Sequence, residues 1–222
     1  VSLEALWALS LLKGLRNDLA NEWLNHPDPH IRRWVVRLLG DEGEVSEETV
    51  DSLKIMAGKE ENAEVLVQLA ASAKRLHARY GLPLLQALAR REPSLADKRL
   101  PLMVWWGVEA HAETGRERLW DWFRKKETWS FPLFRDTLSQ RLMRRYAMAG
   151  SEKNLQSCAD LLEAAPDKAA AKLLLTGLQL TFQGTEIPPL PERLSRRMDS
   201  LAKQVGENEL LLQVLRGNEH AL

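Results

Sequence analysis

Five histidines and one cysteine are the side chains of this sequence most able to bind a metal ion or act as nucleophiles. His26 and His30 are four residues apart, but Pro27 and Pro29 predict a loop there instead of the helix face that a two-histidine metal site uses. Cys158 stands among apolar residues and is predicted to be a buried structural thiol. We therefore predict no metal site in this chain.

The sequence motifs of common catalytic and cofactor sites are absent. The chain has no GxSxG turn of serine hydrolases, no GxxxxGK[ST] phosphate loop, no GxGxxG dinucleotide loop and no CxxCH haem site. Nothing singles out a catalytic pair among the 31 acidic residues. The sequence predicts no catalytic residue and no cofactor in this chain, and hence no enzyme.

Tryptophan is unusually frequent, with eight residues in the chain. Trp105 and Trp106 are adjacent on a predicted helix, so their side chains point about 100° apart. One interpretation is core packing with satisfied indole N–H groups. The other is an aromatic patch that binds a partner, with Glu109 as an acidic companion on the face of Trp106. We take these three residues as a candidate interaction surface.

Charge is unevenly distributed along the chain. Nine acidic and two basic residues lie between Asp41 and Glu64, whereas 16 basic and eight acidic residues lie between Lys74 and Arg145. The basic part is either a solvated ridge or a groove for an acidic partner or a nucleic-acid backbone. Its residues Arg99, Arg141 and Arg145 complete the candidate interaction surface. Because the 31 basic and 31 acidic residues cancel, general nucleic-acid binding is not predicted.

Length and composition indicate a globular protein. The chain has 222 residues, of which 45% are hydrophobic and 28% are charged, which excludes intrinsic disorder. The longest apolar run, Leu100–Val108, is far shorter than the roughly 20 residues of a bilayer span. We predict no membrane insertion and no signal peptide. The first residue is not Met, and we expect the chain to be a fragment of a longer protein.

Apolar residues recur with helical spacing and strand patterns are nearly absent, so the predicted class is all-α. The second helix of each predicted pair begins near Asp28, Asn62, Asp97, Phe131 and Asp167, at intervals of 34 to 36 residues. A constant period with two helices predicts an α-solenoid of about six antiparallel pairs. We expect a right-handed superhelix that forms one domain over 1–222. An irregular helical bundle is the alternative.

The predicted pairs are 1–26 with 28–41, 46–58 with 62–80, 82–92 with 97–114, 115–127 with 131–149, 152–165 with 167–183, and 190–205 with 207–217. Side chains that can cap first-turn N–H groups are predicted to begin helices at Asp28, Ser46, Ser151 and Asp167. Glycines are predicted to end helices at Gly40, Gly150, Gly184 and Gly217. The last pair leaves the apolar stretch Leu210–Leu215 without a following unit, which could drive end-to-end contact.

Two segments resemble known families. Residues 26–41, HPDPHIRRWVVRLLGD, resemble a HEAT repeat, in which a D-P turn opens the second helix. Residues 97–110, DKRLPLMVWWGVEA, resemble the D-x-R-[IL]-P-L-x-x-W-W-x-x-E pattern of the helical-repeat region of large planctomycete-type membrane-bound dehydrogenase-like, haem-binding proteins. ALWAL at 5–9 and RLMRR at 141–145 fit the same region in the same order, so the resemblance spans residues 3–217.

The resemblance implies an extracytoplasmic parent protein with a sorbosone-dehydrogenase-like β-propeller, then HEAT repeats, then a c-type cytochrome domain. This chain would be the middle region, a non-catalytic HEAT-repeat scaffold whose partners are another protein or the flanking domains of the parent. The alternative is a HEAT-like DNA-binding protein or alkylbase DNA glycosylase that uses a basic concave groove. A third possibility is a linker whose surface has no partner.

Overall fold

A computed structural model describes residues 2–91, 98–182 and 189–205 of the chain. The described residues form twelve α-helices, one 3-10 helix and one π-helical segment, and they contain no β-strand. The predicted all-α class is confirmed. The α-helices are α1 (Leu3–Lys13), α2 (Asn17–Trp23), α3 (Pro29–Glu42), α4 (Glu47–Lys59), α5 (Ala63–Ala73), α6 (Ala78–Ala89), α7 (Arg99–Ala110), α8 (Arg116–Phe123), α9 (Gln140–Ala149), α10 (Glu152–Ala164), α11 (Lys168–Phe182) and α12 (Glu192–Val205). The 3-10 helix is Lys126–Ser130, and the π-helical segment Phe134–Ser139 leads into α9.

The chain divides into two compact units, Val1–Leu119 and Trp120–Leu222. In the first unit α3 packs on α5 and α5 on α7, while α2 packs on α4 and α4 on α6. In the second unit α9 packs on α11 and α10 on α12. Within each unit, a helix therefore contacts the second helix after it as well as its neighbour. The single domain over 1–222 stays a prediction.

Side chains cap the ends of helices that lie about one predicted period earlier in the chain. The last carbonyls of a helix have no intrahelical partner, so a donor from elsewhere must satisfy them. Such donors come from residues 34 to 38 positions later: Arg75 to Gly40 O, Arg91 to Ala57 O, His111 to Ala73 O, and Arg197 to Leu162 O. These bonds tie together helices that contact each other as second neighbours.

The predicted helix starts are confirmed. The four capping side chains accept hydrogen bonds from backbone N–H groups of the first turn over 2.8 to 3.3 Å: Asp28 from His30, Ser46 from Thr49, Ser151 from Asn154, and Asp167 from Ala170. Gly150 ends α9 with φ +66°, as predicted. Gly184 and Gly217 lie outside the described residues.

The predicted stop at Gly40 is wrong. Helix α3 continues to Glu42 and ends at Gly43, whose φ of +77° suits a glycine. Gly40 instead allows two helices to approach closely, because a Cβ there would lie 2.6 Å from the Cβ of Ser72. Ser72 donates its hydroxyl hydrogen bond to Val36 O at 2.8 Å across the same contact.

Two predicted helices are each divided in the structure. The predicted helix over 62–80 ends at Ala73, and His77 caps a new helix that begins at Ala78 and contains Pro83. The predicted helix over 1–26 is interrupted at Gly14, where φ is +72°. The predicted helix over 207–217, with its Leu210–Leu215 stretch, and the predicted helix start at Asp97 lie outside the described residues.

Aromatic residues form the core of the second unit. The rings of Trp120, Phe123, Trp129 and Phe134 contact one another with centroid distances from 4.5 to 6.4 Å, and all four are buried. The indole of Trp129 donates a hydrogen bond to Phe123 O at 2.9 Å. Cys158 is also fully buried, which confirms its prediction. In the described part of the chain, no helix combines the length and apolarity needed to cross a bilayer.

Candidate interaction surface

The predicted interaction residues lie on two helices of different units. Arg99, Trp105, Trp106 and Glu109 lie on α7 of the first unit, and Arg141 and Arg145 lie on α9 of the second. Helix α9 buries its apolar face through Leu142, Met143, Tyr146 and Ala147. Arg141 is exposed and Arg145 is half-buried. The structure thus brings together the four residues of α7.

Trp105 and Trp106 have different environments. Trp105 is 5% exposed and belongs to the core, whereas Trp106 is 41% exposed. The 100° turn between adjacent helical residues explains the difference, because only one of the two can face the packed side of α7. The prediction that Trp105 forms part of an accessible surface is therefore corrected, and Trp106 is the aromatic residue that a partner can reach.

Leu102 extends the accessible face of α7, and the sequence analysis missed it. It lies four residues before Trp106, and the two side chains share one side of the helix. Arg99 lies three residues before Leu102, and Glu109 three residues after Trp106. We call these four residues the α7 stripe: two exposed apolar side chains between a cation and an anion. The four-residue spacing was the signal that could have revealed Leu102.

Exposed arginines of the first unit share carboxylates in pairs. Glu64 lies between Arg99, at 2.8 Å, and Arg33, at 3.7 Å. Asp41 lies between Arg75, at 3.2 Å, and Arg37, at 3.6 Å. Each carboxylate contacts two guanidinium groups, and the group of Asp41, Arg37 and Arg75 carries one net positive charge. Exposed pairs of this kind contribute little stability.

A partly buried ion pair joins α3 to the segment that follows α4 in the first unit. Arg32 binds Glu60 through two hydrogen bonds of 2.8 Å, and donates two more to the carbonyls of His26 and Pro27. Burial alone would raise the pKa of Glu60, but Arg32 and the backbone N–H of Asn62 hold that pKa below its ordinary value. The pair lines an open cavity of about 530 Å³. Since these four hydrogen bonds engage four of the five N–H groups of Arg32, we assign the pair a structural role.

Three of the histidines form hydrogen bonds with the backbone. His26 Nδ1 accepts from the N–H of Asp28, and His77 Nδ1 accepts from the N–H of Arg79. His111 is buried, and its Nε2–H donates to Ala73 O at 2.8 Å. Within residues 2–91, 98–182 and 189–205, no three His, Cys, Asp or Glu side chains are grouped so that they could hold a metal ion.

The buried imidazole of His111 should make stability depend on pH. Burial lowers the pKa of His111 below 6.5, although its bond to Ala73 O opposes this shift. As the pH falls below about 6.5, the unfolded chain takes up a proton that the folded chain does not, so the free energy of unfolding should fall. The fall should stop below the folded pKa. Urea unfolding of the wild type and of His111→Gln at about pH 8 and about pH 5 measures this pH dependence of the free energy of unfolding.

The glutamine variant keeps an N–H donor but cannot titrate, so its stability should change less with pH than that of the wild type. The exposed His30 provides the matched control, and His30→Gln should keep the wild-type pH dependence. An unchanged pH dependence in His111→Gln would contradict the prediction.

The chain matches no protein-family model, no curated protein and no solved structure at a significant level of similarity.

Proposed function

We propose that this chain is a non-catalytic HEAT-like scaffold that binds a protein partner through the α7 stripe. The observation that carries the proposal is the set of side-chain bonds to helix-terminal carbonyls across 34 to 38 residues. Such bonds, together with the packing of second-neighbour helices, are what a repeating two-helix unit requires. They support stacked helix pairs within each unit. The right-handed superhelix of about six pairs in one domain is part of the proposal.

The α7 stripe supports a role in binding. An exposed Trp side chain is typical of the anchors that dominate protein interfaces, and Leu102 adds apolar area beside it. The resemblance of residues 3–217 suggests that the partners are flanking domains of the same parent, a β-propeller and a c-type cytochrome domain, in an extracytoplasmic protein. On this proposal the parent's redox cofactor belongs to those domains, and this chain holds them in place.

Replacing Trp106 with alanine should weaken partner binding by about 30-fold, the loss expected when a central aromatic anchor worth about 2 kcal/mol is truncated. The measurement is a calorimetric titration of the chain with the propeller and cytochrome domains of the parent, each purified separately. Leu180→Ala is the matched control, because Leu180 is also 41% exposed and lies in the other unit. It should leave the affinity unchanged.

Two outcomes would overturn the proposal. The first is that neither flanking domain binds the wild-type chain. The second is that Trp106→Ala and Leu180→Ala lose affinity equally. Tight binding of duplex DNA that weakens steeply with salt would instead favour the DNA-binding alternative. The contacts of Glu64 and Asp41 with four surface arginines argue against that alternative, because each carboxylate cancels part of the positive charge that phosphates would need.

A further inference from the structure

An apolar groove lies between α1 and α3 in the first unit. It has a volume of about 360 Å³ and is lined by Trp7, Ser10, Leu11, Trp34 and Leu38. The rings of Trp7 and Trp34 meet edge to face with centroids 4.9 Å apart and form one wall. Apart from Ser10, the lining side chains are hydrophobic, so the groove suits one large apolar side chain.

Helix α1 leaves much of its own apolar surface uncovered beside this groove. Leu11, which lines the groove, is 88% exposed, while Leu6 is the buried leucine of the helix. A helix with apolar residues on all sides is normally packed on most sides. The exposure of Leu11 therefore favours a further apolar contact in the groove.

Positive charge borders the groove on its α3 side. The guanidinium of Arg37 lies over the Trp34 ring, 4.9 Å from its centroid. Arg37 shares Asp41 with Arg75, and that group of three carries one net positive charge. Arg33 lies one turn before Arg37 on the same side of α3, and Glu64 contacts both Arg33 and Arg99. An occupant of the groove would thus meet an apolar wall and then a cationic rim.

We propose that this groove docks an amphipathic helix with an acidic polar face. One leucine or phenylalanine of that helix fills the groove, and its carboxylates lie against Arg37 and Arg33. This is the helix-in-groove mode of recognition, with charge complementarity at the rim. A nucleic acid fits less well, because the apolar walls would leave the polar edges of a base without partners. The proposal goes beyond the proposed function, since it concerns α1 and α3 and does not depend on the α7 stripe.

The test is fluorescence anisotropy of the full chain with two labelled synthetic peptides. Both carry leucines at i, i+3, i+4 and i+7; glutamates fill the other positions in one peptide and lysines in the other. We expect the glutamate peptide to bind at least about tenfold more tightly than the lysine peptide. Leu11→Asp should lower the affinity for the glutamate peptide by at least about tenfold, because it places a charge in the groove. The change should not unfold the chain, because Leu11 is exposed.

Leu12→Asp is the matched control, since Leu12 is a neighbouring exposed leucine that does not line the groove. The affinity of this variant for the glutamate peptide should stay close to that of the wild type. Equal binding of both peptides, or equal losses in the two variants, would overturn the proposal. So would displacement of the glutamate peptide by a DNA oligonucleotide of equal charge, which would assign the rim to nucleic acid. Trp106→Ala should leave peptide binding unchanged, so failure here and failure of the proposed function are distinguishable.

Discussion

Replacing Glu60 with alanine should lower the free energy of unfolding by about 3 kcal/mol. The carboxylate is 4% exposed and receives two hydrogen bonds from Arg32, whose guanidinium is 17% exposed. Without Glu60 the guanidinium would remain largely buried without the carboxylate that it binds directly, and the N–H groups of Glu61 and Asn62 would lose their acceptor. Urea unfolding at neutral pH, compared with the wild type, measures the loss.

Glu64→Ala is the matched control for this prediction. Glu64 also contacts arginines, but its side chain is 50% exposed, so its removal should cost no more than about 1 kcal/mol. The double replacement Arg32→Met with Glu60→Leu should recover much of the stability, because it removes both buried charges together. Equal losses in Glu60→Ala and Glu64→Ala would contradict the assignment of a structural pair.

Gly81→Ala should also destabilise the protein, by about 3 kcal/mol. A Cβ at this position would lie 2.2 Å from Ala73 O and 2.7 Å from His111 Nε2. The first atom belongs to the backbone and cannot move aside alone, so α5 and α6 would have to separate. Their separation would disturb the His111–Ala73 hydrogen bond as well. Thermal unfolding followed by circular dichroism gives the change in stability.

Gly58 shows what the same substitution does without a close neighbour. It also lies in a helix, α4, and a Cβ there would have nothing within 4 Å. Gly58→Ala should therefore stabilise the protein by up to about 1 kcal/mol through helix propensity. If both glycine variants changed stability in the same direction, the close approach at Gly81 would not be the cause of its effect.

The sequence predicted the features that neighbouring residues determine. Asp28, Ser46, Ser151 and Asp167 cap helices because a side-chain oxygen reaches N–H groups two or three residues later, and such signals are local. The positions of α3, α4, α10 and α11 followed from them. Apolar periodicity alone was less reliable, since Leu76 and Tyr80 are buried on either side of a turn and continued the pattern of α5 across it.

Contacts between distant residues account for most of the errors. The sequence does not show that Gly40 meets Ser72, so a glycine needed for helix packing was predicted to end a helix. Which of Trp105 and Trp106 is exposed depends on the rotation of α7 against its neighbours. Likewise Glu60 was one acidic residue among 31 until the fold placed it against Arg32.

Because Cys158 is buried, the reactivity of the chain's single thiol can report how often the second unit opens. Its sulfur is fully enclosed by the packing of α10, so a thiol reagent reacts with it only when that packing opens. The labelling rate in water then reports how often the unit Trp120–Leu222 opens, without a denaturant and without an engineered probe. The first unit contributes no signal, because its sequence contains no cysteine. The motion of one unit can thus be followed separately in the intact protein.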